Sequence, residues 1–111
     1  MEKSQNEQSK FLSLYAHGRE WKLRLRKNTY VNNGNLYLGL ENPEYGHFAD
    51  LTVNIEDLPD GLAAVDTNNC PWAEEFITSH RLGDNTFTAL PSGFCVYPIY
   101  AFDMERINEL L

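Results

Sequence analysis

Within residues 19–27, REWKLRLRK, the stretch from Trp21 to Arg26 alternates strictly between apolar and basic side chains, and this pattern constrains the fold more than any other stretch. Trp21, Leu23 and Leu25 fall on one side of an extended chain, because successive side chains of a β-strand point to opposite faces. The basic residues between them fall on the other side. The pattern therefore predicts a β-strand with an apolar face in the core and a basic face in solvent.

Further extended segments follow this strand with only short turns between them. NLYLGLEN places Leu36, Leu38 and Leu40 on one face, and HFADLTVNI alternates in the same way. LAAV, NTFTAL and FCVYPIYAF also have the composition of strands. Turns of a few residues favour antiparallel pairing, because parallel strands need long crossover connections. We therefore expect an antiparallel meander of four to six strands.

The stretch DTNNCPWAEEFITSH has the signals of a helix start and stop. Pro71 suits the first helical turn, where its missing N–H is no loss. Glu74 and Glu75 place negative charge near the positive end of the helix dipole, and Gly83 is a natural stop. These signals predict an amphipathic helix over residues 70–81.

The predicted helix has an apolar stripe that suits packing on one face of the sheet. Trp72, Phe76 and Ile77 form this stripe. At the end of the chain, DMERINELL predicts a short C-terminal helix with Asp103 as its N-cap. Sheet and helices together give an α+β fold class.

Length and composition indicate one domain. The chain has 111 residues, of which 42% are hydrophobic, enough for a core. Residues 1–9 are polar and mixed in charge, so we expect a flexible tail there and a single α+β domain over residues 10–111. The sequence has neither an apolar run long enough to span a membrane nor the apolar stretch of a secretory signal, so we expect a soluble cytoplasmic protein.

Cys70 is the candidate nucleophile, because a helix N-terminus lowers the pKa of a thiol. A cysteine hydrolase also needs a histidine nearby. His80 lies at the far end of the predicted helix, about 15 Å away along its axis, and His17 and His47 belong to other segments. We therefore interpret Cys70 as a buried packing or capping residue and expect no catalytic residue and no enzyme activity.

Sequence motifs for cofactors and metals are missing. The chain has no glycine-rich nucleotide loop and no His-Glu-x-x-His pattern. Its two cysteines and three histidines do not have the spacing of zinc ligands. We therefore expect neither a metal nor a cofactor.

Charge is distributed very unevenly around a net value of -7. Residues 1–27 hold seven basic and three acidic residues, whereas residues 28–111 hold two basic and thirteen acidic residues. One interpretation is that acidic neighbours in the fold neutralise a basic strand. The other is a molecule with two electrostatically distinct faces.

The basic strand is a candidate nucleic-acid surface. Its alternate residues recur about 6.6 Å apart, close to the spacing of phosphates along a nucleic-acid strand. The alternative is a solvated sheet face with cross-strand partners such as Glu41 or Asp50. The candidate binding residues are Arg19, Lys22, Arg24, Arg26 and Lys27.

The acidic residues form a second candidate surface, because carboxylates can stand in for phosphates on a nucleic-acid-binding partner. Ordinary solubility explains such residues equally well. The candidates are Glu41, Glu44, Glu56, Asp57, Asp60, Glu74 and Glu75.

Four segments carry a family resemblance: YVNNGNLYLGL, ADLTVNI, AAVDTNNCPWAEEFI and SGFCVYPIYAF, in this order. Together they resemble a small uncharacterised family carried on conjugative elements and phages of gut anaerobes, often near antirestriction genes. The resemblance spans about Arg19 to Phe102 and leaves the N-terminal segment and the last helix outside. It implies a setting, accessory cargo on mobile DNA, and no particular reaction.

In that setting we expect a non-enzymatic counter-defence protein, of the anti-CRISPR or antirestriction kind, that binds and inhibits a CRISPR-associated or restriction nuclease. The alternative is a nucleic-acid-binding or protein-binding module for conjugation or for regulation of the element. A Cys70 enzyme is the third hypothesis. No membrane partner is expected.

Overall fold

The computed structural model describes residues 10–111, so the tail predicted at residues 1–9 lies outside the described residues. Within the described part, the chain forms eight strands and two short helices. In chain order these are β1 (Leu12–Ala16), β2 (Arg19–Thr29), β3 (Leu36–Asn42), β4 (Gly46–Asp50), β5 (Thr52–Val53), β6 (Leu62–Val65), α1 (Ala73–Ser79), β7 (Gly83–Ser92), β8 (Cys95–Phe102) and α2 (Met104–Glu109).

The strands form two four-stranded antiparallel sheets. The first is a meander in the order β1-β2-β3-β4, and the second has the order β5-β6-β8-β7. The α+β class and the antiparallel meander are therefore confirmed. The strands divide between two sheets, a division that the sequence patterns did not predict.

Leu51 marks the passage from the first sheet to the second. The predicted strand HFADLTVNI is interrupted there, because β4 ends at Asp50 and β5 begins at Thr52. The backbone N–H of Leu51 donates to Leu38 O at 2.9 Å, and its carbonyl accepts from Asp66 N at 2.8 Å. The fully buried Leu51 thus connects both sheets through the backbone.

The core lies between the inner face of the first sheet, the second sheet and α1. Leu23 and Leu25 of β2 are 0% and 5% exposed, as the strict alternation predicted. They pack in one cluster with Leu38, Phe76 and Ile77. Burial of such side chains stabilises the fold by about 1.5–3 kcal/mol each, before the loss of chain entropy is subtracted.

Helix α1 is shorter at its N-terminal end than the predicted 70–81. Trp72 is its N-cap residue and makes no side-chain capping bond. The turn before it is organised by Asp66, whose carboxylate oxygens accept from Asn69 N at 3.2 Å and from Asn69 Nδ2 at 2.9 Å. Since Cys70 N also donates to Asp66 O, residues 66–70 form a turn and the helix begins later.

The C-terminal end of α1 also differs from the prediction. Arg81, not Gly83, takes the left-handed conformation, with φ of 57°. Gly83 begins β7, where a Cβ atom would lie 2.7 Å from Ala101 O. Glycine is therefore required at position 83 for the close approach of β7 to β8 and not for a helix stop.

The second helix begins where the sequence predicted. The side chain of Asp103 accepts a hydrogen bond from Arg106 N at 3.1 Å, which is the expected N-cap geometry. Ile107 is fully buried and anchors α2 to the core.

Candidate functional site

Cys70 lies in the core and not in an open pocket. Its side chain is 4% exposed, and its Sγ donates to Asp50 O at 3.5 Å. Burial, together with the negative charges of Asp66 and Asp50, raises the pKa of the Cys70 thiol to about 11. A thiol with this pKa carries almost no thiolate near neutral pH, so its surroundings oppose nucleophilic chemistry.

The three histidines are engaged in three different places. His80 Nε2 lies 2.8 Å from Ser13 O, which ties the end of α1 to β1. His47 Nε2 lies 3.4 Å from Asp50 Oδ1, and His17 packs beside an aromatic ring. Among residues 10–111 no histidine is hydrogen-bonded to Cys70, and no cluster of three or more His, Cys, Asp or Glu side chains is placed to hold a metal ion.

The basic face of β2 has the cross-strand partner that the sequence suggested. Arg26 Nη1 lies 3.0 Å from Glu41 Oε1 on the neighbouring strand β3. Lys27 Nζ donates to Asn108 Oδ1 of α2 at 2.8 Å. Both cations at this end of the strand are therefore held by groups of the same chain.

The remaining candidate cations are spread along the strand. The Arg19 guanidinium lies 4.1 Å from the centre of the Trp21 ring, and that of Arg24 lies 5.7 Å from the Phe11 ring. Lys22 is exposed. On the basic face of β2, Arg24 and Arg26 thus contact groups of the same chain, whereas Lys22 is exposed.

Asp50, the other suggested partner, binds a tyrosine instead of an arginine. The Tyr37 hydroxyl donates to Asp50 Oδ1 at 2.6 Å. Burial and this hydrogen bond to a carboxylate raise the pKa of Tyr37. The Tyr37 side chain crosses Gly39 to reach Asp50, and a Cβ at position 39 would collide with its hydroxyl group.

The candidate acidic residues lie on separate parts of the molecule. Glu44 lies in the turn after β3, whereas the acidic residues of the β5–β6 loop lie beside the turn that precedes β3. The two groups are therefore at opposite ends of one strand. Glu74 accepts from the Tyr100 hydroxyl at 2.7 Å, and Glu75 lies on the neighbouring surface of α1. The β5–β6 loop holds Glu56, Asp57 and Asp60.

An asparagine cluster holds the acidic loop against the first sheet. The nearly buried Asn35 donates through Nδ2 to Asn54 Oδ1 at 2.9 Å and to Glu56 O at 2.7 Å. Its Oδ1 accepts from Leu58 N at 3.1 Å. These bonds join residues about twenty positions apart, so no local sequence pattern predicts them.

The distal half of the β7–β8 hairpin, residues 87–98, exposes large apolar side chains, and we call it the apolar arm. Phe87, Phe94 and Val96 are 89%, 110% and 63% exposed. Phe94 lies in the turn between the two strands, and Val96 lies directly opposite Pro91. Exposed large apolar side chains grouped on one hairpin make this arm a candidate interaction surface.

A β-bulge holds Phe87 in its exposed position. The pairing of β7 with β8 shifts between Asn85 and Thr88, and Phe87 has a left-handed φ of 62°. Asn85 Oδ1 accepts from Phe87 N at 2.8 Å, and Thr86 Oγ1 donates to Ile99 O at 2.7 Å. A bulky residue at positive φ is strained, so these bonds maintain a conformation that directs the phenyl ring into solvent.

The apolar arm was not among the site residues that the sequence predicted. A signal was present, because no charged residue occurs between positions 85 and 102, whereas 23% of the whole chain is charged. An uncharged apolar stretch is equally typical of a buried strand, so the pattern alone could not reveal its exposure.

Comparison with known protein families assigns most of the chain to a single family. The model of a family described as "Domain of unknown function (DUF4313)" matches residues 24–111. The matched region includes the apolar arm, the loop before α1 and also α2, which the resemblance between Arg19 and Phe102 had left outside. Searches among curated proteins and among solved structures gave no match. No described helix is long and apolar enough to cross a membrane.

Proposed function

We propose that this chain, which belongs to the DUF4313 family, is a non-enzymatic accessory protein of a mobile genetic element that inhibits a host defence nuclease by binding it through the apolar arm. The observation that carries the proposal is the exposure of Phe87, Phe94 and Val96 within one uncharged hairpin.

The arm has the properties of the centre of a protein interface. Each buried aromatic side chain removes about 150–250 Å² from water, and aromatic residues are enriched among the residues that dominate binding energy. Pro91 lacks an N–H, and the Phe87 bulge interrupts the edge of β7. A partner therefore meets the side chains of the arm and not a continuous strand edge.

Charge favours a partner with a basic surface. The net charge of -7 attracts such a surface from a distance and supports fast association. Asp84 and Asp103 flank the uncharged stretch and are both exposed. The nucleic-acid-binding surface of a nuclease is basic, and the resemblance to mobile-element cargo supports this choice of partner.

The environment of Cys70 supports a role without catalysis. The thiol is buried and its pKa is raised to about 11, the opposite of what an activated nucleophile needs. The loop around Cys70 positions α1 through Asp66 and Asn69. These residues therefore serve the fold, and recognition is left to the surface.

The proposal is tested with purified protein against a panel of CRISPR-associated and restriction nucleases at low salt. We expect binding and inhibition of at least one nuclease, and a loss of at least about tenfold in affinity for the double variant Phe94→Ser and Val96→Ser. Val31→Ser is the matched control, because Val31 is 103% exposed in the turn between β2 and β3. Equal affinities for the two variants, or no bound nuclease, would contradict the proposal.

The nucleic-acid alternative is tested in the same preparation. Salt-sensitive retention of RNA or DNA that is lost when Lys22, Arg24 and Arg26 are all replaced by alanine would support a nucleic-acid-binding module instead. We expect no such retention, because Glu41 pairs with Arg26 and the other two cations are not adjoined by further basic residues of β3.

A further inference from the structure

A groove separates the outer edge of β1 from α1. In the described part of the chain, β1 has β2 as its strand neighbour on one side and lies at the edge of the first sheet on the other. Ser13 O accepts a hydrogen bond from His80 Nε2 at 2.8 Å, so the carbonyl of Ser13 points away from β2 and towards α1.

Tyr15 presents its backbone to the same groove. Backbone N–H and C=O groups of a strand point alternately to either side, so those of Tyr15 point in the direction of Ser13 O. Tyr15 lies opposite Glu20 of β2 in the strand register. In the part of the chain that the structure describes, its outward N–H and C=O are therefore available to one residue of an added strand, while His80 occupies the position next to it.

One face of α1 forms the other wall. The groove has a volume of about 200 Å³. Its helix side consists of Trp72, Glu75, Phe76 and Ser79, which occupy positions i, i+3, i+4 and i+7 and so lie on one face. A strand edge facing a helix is the geometry in which extended peptides bind by strand addition, with side-chain pockets giving specificity.

The acidic side chains beside the groove favour a basic side chain in the bound segment. Glu75 is exposed and makes no ion pair within residues 10–111. Glu20, opposite Tyr15, is also exposed. The half-buried ring of Trp72 adds a surface on which the methylene groups or the cation of a basic side chain can pack.

We propose that this groove binds a short extended segment of a partner protein, which pairs with the backbone of Tyr15 and places a lysine or arginine side chain beside Glu75. The occupied Ser13 carbonyl and the small volume limit the segment to a few residues. This inference goes beyond the proposed function, because it assigns a second surface that contains no residue of the apolar arm.

The test uses three synthetic peptides, Ac-Ala-Val-Xaa-Val-Ala-NH2, in which Xaa is lysine, acetyl-lysine or glutamate. Backbone amide and indole NMR signals of the whole protein are followed during titration. We expect the lysine peptide to shift the signals of the Tyr15 amide and the Trp72 indole and to slow hydrogen exchange at Tyr15. The acetyl-lysine and glutamate peptides bind more weakly.

Matched charge variants make the test specific. Glu75→Gln should weaken binding of the lysine peptide about two- to fivefold, the range for an exposed ion pair. Glu105→Gln removes the same charge from α2 and should leave the affinity unchanged. The proposed binding site is contradicted if the lysine peptide leaves the NMR signal of the Tyr15 amide unshifted. Equal losses of affinity in the two variants would also contradict it. Because the arm is intact in all of these variants, failure here leaves the nuclease proposal unaffected.

Discussion

The core around β3 and the apolar arm are both rich in large apolar side chains, but only the core is covered. Leu38 is fully buried, whereas Phe94, at the turn of the hairpin, is fully exposed. The difference comes from the extent of β6, which pairs with β8 between Leu62 and Ala64. Within the described residues, β8 before Ile99 pairs with β7 alone, so the hairpin continues beyond the layer that would bury it.

This comparison shows that apolar composition does not determine burial. In the core, every apolar face meets another element, and burial stabilises the fold. In the arm, the same residue types remain in water, and the bulge at Phe87 even orients a ring outward. Exposed apolar side chains that do not stabilise the fold are the basis of the proposed role in recognition.

The largest expected effect lies in the core. Leu38→Ala should lower the free energy of unfolding by about 2–5 kcal/mol, because it leaves a cavity at a position with 0% exposure. Urea denaturation measures the loss. Val31→Ala, at an exposed turn, is the control and should change stability by less than about 0.5 kcal/mol. If the two variants lost similar free energy of unfolding, the assignment of position 38 to the core and of position 31 to the surface would be contradicted.

An intermediate effect is expected at Cys70 in alkali. Its folded-state pKa of about 11 exceeds the ordinary value of 9.0, so the protonated thiol favours the folded state. This contribution is complete below pH 9 and is lost as pH rises towards 11. Denaturation of the wild type and of Cys70→Ala at about pH 8 and about pH 10.5 measures it, and the wild type should lose more stability.

Other groups that titrate in alkali change the stability of both proteins equally, so their effects cancel in that comparison. Burial also raises the pKa values of Tyr30 and Tyr100, so both proteins weaken at high pH. The difference between the two proteins isolates the thiol. Equal pH dependence would mean that Cys70 is accessible and would restore it as a candidate for chemistry.

The smallest effect on stability is expected in the arm. Phe94→Ser should change the free energy of unfolding by less than about 0.5 kcal/mol, since the ring is 110% exposed and has no packing to lose. The same urea denaturation measures it. A loss above about 1 kcal/mol would show that the arm packs against the molecule, and loss of nuclease binding could then not be assigned to recognition.

The first sheet could be predicted well because its signals are local. The alternation in β2 and the leucines of β3 are read within single segments, and Asp103 caps α2 as its sequence position indicates. The ion pair between Arg26 and Glu41 was also among the sequence alternatives. Its presence favours the solvated-face interpretation of the basic strand.

The parts that could not be predicted depend on contacts between distant residues. Leu51 divides one expected strand because its backbone bonds to Leu38 and Asp66. The Asn35 network fixes the acidic loop, and Gly83 is needed for strand approach near Ala101. The partners in each of these contacts lie far apart in sequence. Secondary-structure propensity and side-chain periodicity therefore do not predict the contacts.

The sequence by itself determined the fold class, the basic and apolar faces of β2 and the absence of charge from residues 85–102, because side-chain alternation and charge are local properties of the chain. Tertiary structure alone decided that the acidic residues are separated and that the uncharged hairpin lies in solvent. Burial depends on what covers a segment, and the covering elements are chosen by strand pairing between residues far apart in the chain.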